Sequence, residues 1–284
     1  MHKIVFFGTA PLAIESLDAL EAVGLVPALI VAGQDRLAKD KSIILPPEKS
    51  WALERGIRVA QPKDISPEFL SGLQEEEWDA FVVASYGKIL PKALLEIPKR
   101  GTINMHPSLL PKLRGPSPIR SAILNDERET GVSVMILDEK MDHGPLIGQK
   151  NVSIENWPPR GREFDTLLAH EGAALLADVL PKYLAGEITP AEQDHSLATY
   201  SKIFLKEDGE LNLAGDAYQN LLKIRAFDGW PGTYAYFERA GERLRVVILK
   251  AHLDGNKLVI DTVKPEGKGV MQYADFVRSG ARQM

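Results

Sequence analysis

The opening of the chain constrains its fold most. Residues 4–7, Ile-Val-Phe-Phe, are a short run of β-branched and aromatic residues, the pattern of a strand buried on both faces. Gly8 and Thr9 then turn the chain. Over 11–24, Leu12, Ser16, Leu17 and Leu20 fall at helical spacing, and Gly24 ends the helix. A second apolar strand follows at 26–33. A strand, a helix and another strand in this order predict a parallel pair. The alternation continues, with strands expected at 57–60, 79–85 and 101–106 and helices at 47–56, 65–76, 91–98 and 116–126. Residues 131–138 and 146–154 read as an antiparallel pair, and 161–186 as a long amphipathic helix. Residues 34–46 are polar and basic without clear periodicity.

Past this point the texture changes. Residues 187–200 are polar and contain Pro190. One helix is expected at 214–227, and then short strands separated by turn residues, the pattern of a small β-rich unit, expected to be a barrel. The expected organisation is an α/β domain over 1–187, a linker over 188–202 and the β-rich domain over 203–284.

Composition excludes several classes. With no cysteine among 284 residues, disulfides and thiolate metal sites are ruled out. No His or carboxylate group stands at ligand spacing, so no metal is expected. No apolar run is long enough to span a bilayer. The first residues lack a basic leader, so they read as a strand and not a signal peptide, and a cytoplasmic protein acting away from membranes is expected. The net charge is −5. Residues 200–284 hold 13 Lys/Arg against 11 Asp/Glu, a balance of +2, and the rest carry −7. That asymmetry fits a polyanionic partner, and equally a chance distribution over a solvated surface.

Chemistry concentrates in residues 103–111, Ile-Asn-Met-His-Pro-Ser-Leu-Leu-Pro. Side chains at i and i+2 of a strand share a face, so Asn104 and His106 project together. Pro107 and Pro111 bias the residues before them toward extended backbone. In an α/β sheet, ligands bind at the carboxyl ends of the strands. Asp142, in a turn with Gly144 and Pro145, is the best partner from the same edge. Such a trio suits acyl transfer to an amine. Imidazole accepts the amine's proton, an amide or a protonated imidazole stabilises the oxyanion, and a carboxylate orients the imidazole and favours its charged form. The alternative is purely structural: a polar strand end capping a loop, and an Asp that forms a turn.

The stretch from Ile103 to Ile147 resembles the signature of the 10-formyltetrahydrofolate-dependent formyltransferases. It carries Asn-x-His, Ser-Leu-Leu-Pro, Arg-Gly, a Pro-Ile helix, Thr-Gly-Val and an Asp-x-Gly loop in that order. The resemblance implies a Rossmann-like parallel sheet domain, followed here by a small OB-like barrel. It implies that Asn104, His106 and Asp142 are catalytic, with 10-formyltetrahydrofolate as cosubstrate and no metal. Ser108, Leu109, Leu110 and Pro111 take the folate-contacting turn. Ser85, Tyr86, Gly87 and Ile89 fall in the family's strand and loop beside the pterin. His143 departs from the small residue usual after the Asp and is expected to point to solvent.

Residues 224–237 and 263–280 resemble the second domain of the tRNA-directed branch of this family. The acceptor this implies is the α-amine of methionine on initiator tRNA, in translation initiation, by a monomer; an amino-sugar nucleotide is the alternative. Residues 35–42 fall where that branch carries an inserted loop that meets the acceptor arm. Arg36, Lys39 and Lys41 are the candidates for phosphate contact there, against the alternative of a solvated charged loop. Trp230 and Pro231 are expected to be core and turn elements of the second domain.

Overall fold

A computed structural model describes residues 2–9, 12–38 and 40–284. The elements in chain order are β1 (Ile4–Gly8), α1 (Leu12–Ala22), β2 (Leu29–Val31), β3 (Arg36–Leu37), β4 (Ile43–Ile44), α2 (Pro47–Glu54), β5 (Arg58–Ala60), α3 (Pro67–Gln74), β6 (Ala80–Ala84), α4 (Lys92–Leu95) and β7 (Thr102–His106). Then come α5 (Pro118–Leu124), β8 (Thr130–Ile136), β9 (Leu146–Val152), α6 (Gly161–Leu184), α7 (Ala217–Ala226), β10 (Thr233–Arg239), β11 (Glu242–Asp254), β12 (Lys257–Pro265), β13 (Met271–Gln272), α8 (Tyr273–Arg278) and β14 (Arg282–Gln283).

The chain forms two compact units. The first holds 1–115, 130–153 and 166–200; the second holds 116–129, 154–165 and 201–284. This division differs from a linear cut near 187. Two inner segments join the second unit, and 188–200 stays with the first. There Leu146 and Ala191 exchange backbone hydrogen bonds, and Arg114 pairs with Tyr200 in a parallel bridge. Counted over its actual residues, the second unit holds 17 Lys/Arg and 17 Asp/Glu. The +2 balance of residues 200–284 therefore disappears.

In the first unit a seven-stranded sheet runs β5-β2-β1-β6-β7-β8-β9. The pairs from β5 to β7 are parallel, and β8 and β9 add antiparallel. All five residues of β1 and of β6 are buried, which explains their continuous apolar runs. Phe7, Phe81, Trp78 and Tyr86 build one cluster with Val5, Val83 and Leu94. Each large apolar side chain buried there contributes roughly 1.5–3 kcal/mol. Residues 34–46, polar and basic without clear periodicity, contain a short antiparallel hairpin: Arg36 pairs with Ile44, and Leu37 with Ile43.

The second unit carries an antiparallel sheet in the order β13-β12-β11-β10-β14. Its edge strands are β13 and β14, and among the described residues no pairing between them closes the expected barrel. Inward residues Ala235, Phe237, Val246, Ile248 and Val263 pack on Ile224 of α7 and Phe276 of α8. The stretch expected as the last strand is only Met271–Gln272, and the chain then winds into α8. Phe276, in α8, is fully buried. Trp230, expected in the core, is 58% exposed.

Candidate active site

The carboxyl end of β7 delivers the pair that the strand period implied. Asn104 is half-buried and His106 is 5% exposed. Two residues apart on one strand, they project from the same face. The Nε2 of His106 lies 3.0 Å from the carbonyl of Leu113. A carbonyl only accepts, so Nε2 carries the hydrogen. Nδ1 faces Oδ2 of Asp142 at 3.6 Å. Nδ1 is thus the nitrogen left to receive a proton, and a proton there lies between the imidazole and the carboxylate.

Asp142 is held from several directions. Its Oδ2 accepts the Gly115 amide hydrogen at 2.7 Å. Its backbone is left-handed, with φ of 46°, a conformation that Asp tolerates better than most residues. Gly144 follows two residues later because a Cβ there would stand 1.9 Å from the Ile136 carbonyl oxygen. That contact gives the Asp-x-Gly spacing a steric cause. Gly115 adopts φ of 103°, which favours glycine.

The turn after His106 is pinned from β8 and β9. Ser133 is fully buried; its hydroxyl donates to the Ser108 carbonyl at 2.7 Å and accepts from the Leu110 amide at 3.1 Å. The Gln149 side-chain amide reaches Oγ of Ser133 at 2.9 Å and the Leu110 carbonyl at 2.8 Å. Ser133 therefore uses its donor and both acceptor positions. Ser108 is buried and closes the turn on the Lys112 carbonyl at 2.6 Å. Leu110 is also buried, with a cis bond to Pro111. Leu109 and Pro111 are half-buried. Ser108 and Leu110 are placed to shape the turn, while Leu109 and Pro111 keep accessible surface.

At the end of β6, Ser85 is exposed and left-handed, with φ of 57°, and its carbonyl accepts the Thr9 hydroxyl. Tyr86 turns inward against Phe7, ring centroids 5.5 Å apart. Burial pushes its phenol up, and its hydroxyl is buried without a hydrogen-bond partner. Gly87 is exposed and Ile89 is 94% exposed. Arg36 and Lys41 are exposed on the β3–β4 hairpin and its turn, while Lys39 lies outside the described residues.

Other residues near Asp142 were assigned no role by the residue pattern. The Arg114 guanidinium is buried, donating to Oε1 of Gln193 at 2.7 Å and to Nδ1 of His195 at 2.9 Å. Gln193 sends its amide to the carbonyls of Asp142 and Gly144. His143 is not turned simply to solvent. Its Nδ1 meets Oδ2 of Asp138 at 2.6 Å, and its ring stacks on His195 at 3.9 Å. Arg114 was visible as the Arg of the Arg-Gly pair, but nothing in the residue pattern marked Gln193. Among the described residues no group of three His, Cys, Asp or Glu is placed to hold a metal, and no helix is long and apolar enough to cross a membrane.

Comparison with known proteins identifies the family. The formyl transferase family pattern matches residues 2–179. The methionyl-tRNA formyltransferase of Chloroflexus aggregans is 42% identical, covering 86% of this chain and 79% of its own. Among solved structures, a sugar N-formyltransferase from a Shewanella species superposes with a TM-score of 0.65 at 21% identity, over 86% of this chain and 95% of its own. The N-formyltransferase of Helicobacter canadensis, solved with folinic acid and dTDP-3-aminofucose, gives 0.64 at 20% identity, over 92% and 99%. At such identities the structural likeness concerns the fold. The Asn-x-His strand, its pinned turn and the Asp loop all stand within the matched residues, and the chain belongs to the formyl transferase family.

Proposed function

We propose that this enzyme transfers the formyl group of 10-formyltetrahydrofolate to the α-amine of methionine on initiator tRNA. The observation that carries this reading is the 42% identity to a methionyl-tRNA formyltransferase over most of both chains. It extends past the family pattern, which ends at residue 179, into the second unit. The hairpin of residues 36–44 supports it. Arg36 and Lys41 stand there beside Leu37, Ile43 and Ile44, which are 75%, 65% and 52% exposed, a mixed basic and apolar projection suited to a nucleic-acid end. The second unit carries no net charge, so in this reading tRNA affinity rests on local basic contacts such as these.

In this reading the amine attacks the formyl carbon. His106 takes the amine's proton at Nδ1, directly or through water. The Asn104 amide supports the oxyanion, and Asp142 holds the ring and balances its charge. The bond from carbon to N10 then breaks, N10 takes a proton, and tetrahydrofolate leaves. Leu109, Pro111 and the exposed Gly87 and Ile89 offer contact surface to the folate. We take the protein to act as a cytoplasmic monomer.

A second reading is formylation of an amino-sugar nucleotide. It is favoured by the solved sugar N-formyltransferases, which share the fold over nearly their whole length. Incubation with 10-formyltetrahydrofolate and either Met-tRNA or an amino-sugar nucleotide separates the two. Formylation of Met-tRNA, weakening steeply with salt, supports our reading; formylation of the sugar alone overturns it.

A further inference from the structure

Gln193 lies in the polar stretch whose sequence suggested only a linker, yet it is 5% exposed and spends its whole amide on the surroundings of Asp142. Its Nε2 donates to the Asp142 carbonyl at 3.0 Å and to the Gly144 carbonyl at 2.7 Å. Its Oε1 accepts from Nη2 of Arg114 at 2.7 Å and from Nε at 3.3 Å. Arg114 stands between the two residues that hold the reacting pair. On one side Leu113 accepts from His106, and on the other Gly115 donates to Asp142. One side chain therefore bonds both the loop that carries the carboxylate and the loop that anchors the imidazole.

We infer that Gln193 is a positioning residue for formyl transfer, setting the Asp142 carboxylate against His106 by clamping the 113–115 and 142–144 loops together. Three features support a positioning role over a bland buried contact. Asp142 has a left-handed backbone, a conformation that persists only when surrounding bonds over-determine it. The two carbonyls that Gln193 ties flank the residue between them, so losing both donors frees that segment to relax. The clamp is itself anchored: the Leu113 amide donates to Oγ1 of Thr199 at 2.8 Å, and the Arg114 amide to the Thr199 carbonyl at 2.9 Å. Gln193 touches neither reacting group, and it acts through their backbone.

The inference rests on His106 and Asp142 being the reacting pair, and the experiment keeps the two apart. Gln193→Met keeps the buried volume and loses every hydrogen bond. Gln193→Glu keeps the acceptor for Arg114 and loses both donors. A misplacement of about 1 Å at a reacting group costs on the order of 10²-fold. Both variants are therefore expected to lose about 10- to 100-fold in kcat, with KM for folate and acceptor within about threefold of wild type. A purely structural role predicts instead a lower melting temperature with normal kcat in the molecules that remain folded. Wild-type kcat in either folded variant, or a loss confined to KM, overturns the inference. If the Met variant does not fold, the Glu variant decides alone, since it retains the guanidinium's partner. His106→Ala is run alongside. If it turns over normally, the reacting pair itself is wrong; if it is inactive while Gln193→Glu is normal, only the role of Gln193 is.

Discussion

Oδ2 of Asp142 stands 3.6 Å from Nδ1 of His106 and accepts the Gly115 amide hydrogen at 2.7 Å. One oxygen thus faces the imidazole while its own place is fixed by backbone. Asp142→Asn keeps the size of the side chain and removes its charge. Its kcat is expected to fall by about 10²-fold or more, with KM for folate changed little. Steady-state formylation kinetics check this, and a loss appearing only in KM points to binding instead.

Ser133 is the joint between the sheet and the turn after His106. Ser133→Ala strips the partner from the buried Leu110 amide and the Ser108 carbonyl together. Leaving such groups unsatisfied costs about 1–3 kcal/mol. Urea unfolding should show a lower midpoint at unchanged slope.

Two glycines make opposite predictions. In Gly144→Ala the new Cβ meets the Ile136 carbonyl oxygen at 1.9 Å, so the Asp142 loop must move. Both stability and turnover should fall. In Gly72→Ala, within α3, nothing lies within 4 Å of the new Cβ. That variant should gain about 0.4–1 kcal/mol through the unfolded chain and keep full activity. Thermal melts of the pair check both.

In the second unit, Arg160 bonds both oxygens of Asp228, at 2.7 and 3.1 Å. Burial pushes the Asp228 carboxyl up, but the hydrogen bonds and charge of Arg160, with the charge of Arg162, outweigh it and hold the group below 3.8. A depressed folded value means that the stabilisation is present above the unfolded value and lost as pH falls through the folded one. The wild-type advantage over Asp228→Asn, on the order of 1 kcal/mol, should be full at neutral pH and narrow below pH 3.8. Denaturation of both proteins across pH 2–7 measures it.

Much of this arrangement was legible in the residues, because its signals are local. Continuous apolar runs marked β1 and β6, and the strand period placed Asn104 and His106 on one face. The contacts of the turn were less legible. Ser108 reads as a polar contact but spends its hydroxyl on Lys112, since closing a tight turn uses the nearest acceptor. Gln193 was invisible because its partners lie 49 to 79 positions away, and no period links them. Membership of the second unit was hidden for the same reason. Residues 116–129 and 154–165 pack with residues after 200 through contacts such as Arg160 with Asp228, which no composition shift announces. The strand read at Gly-Val-Met-Gln-Tyr-Ala is shorter than its pattern: Met271–Gln272 pairs with β12, and α8 begins at Tyr273.

The central claim is that His106 is the proton acceptor in formyl transfer to methionine on tRNA. Single-turnover formylation of Met-tRNA by wild type and His106→Ala, at saturating 10-formyltetrahydrofolate, tests it most directly. The account predicts a rate reduced by about 10²- to 10⁴-fold with bound folate and tRNA undiminished. A rate within twofold of wild type would contradict it.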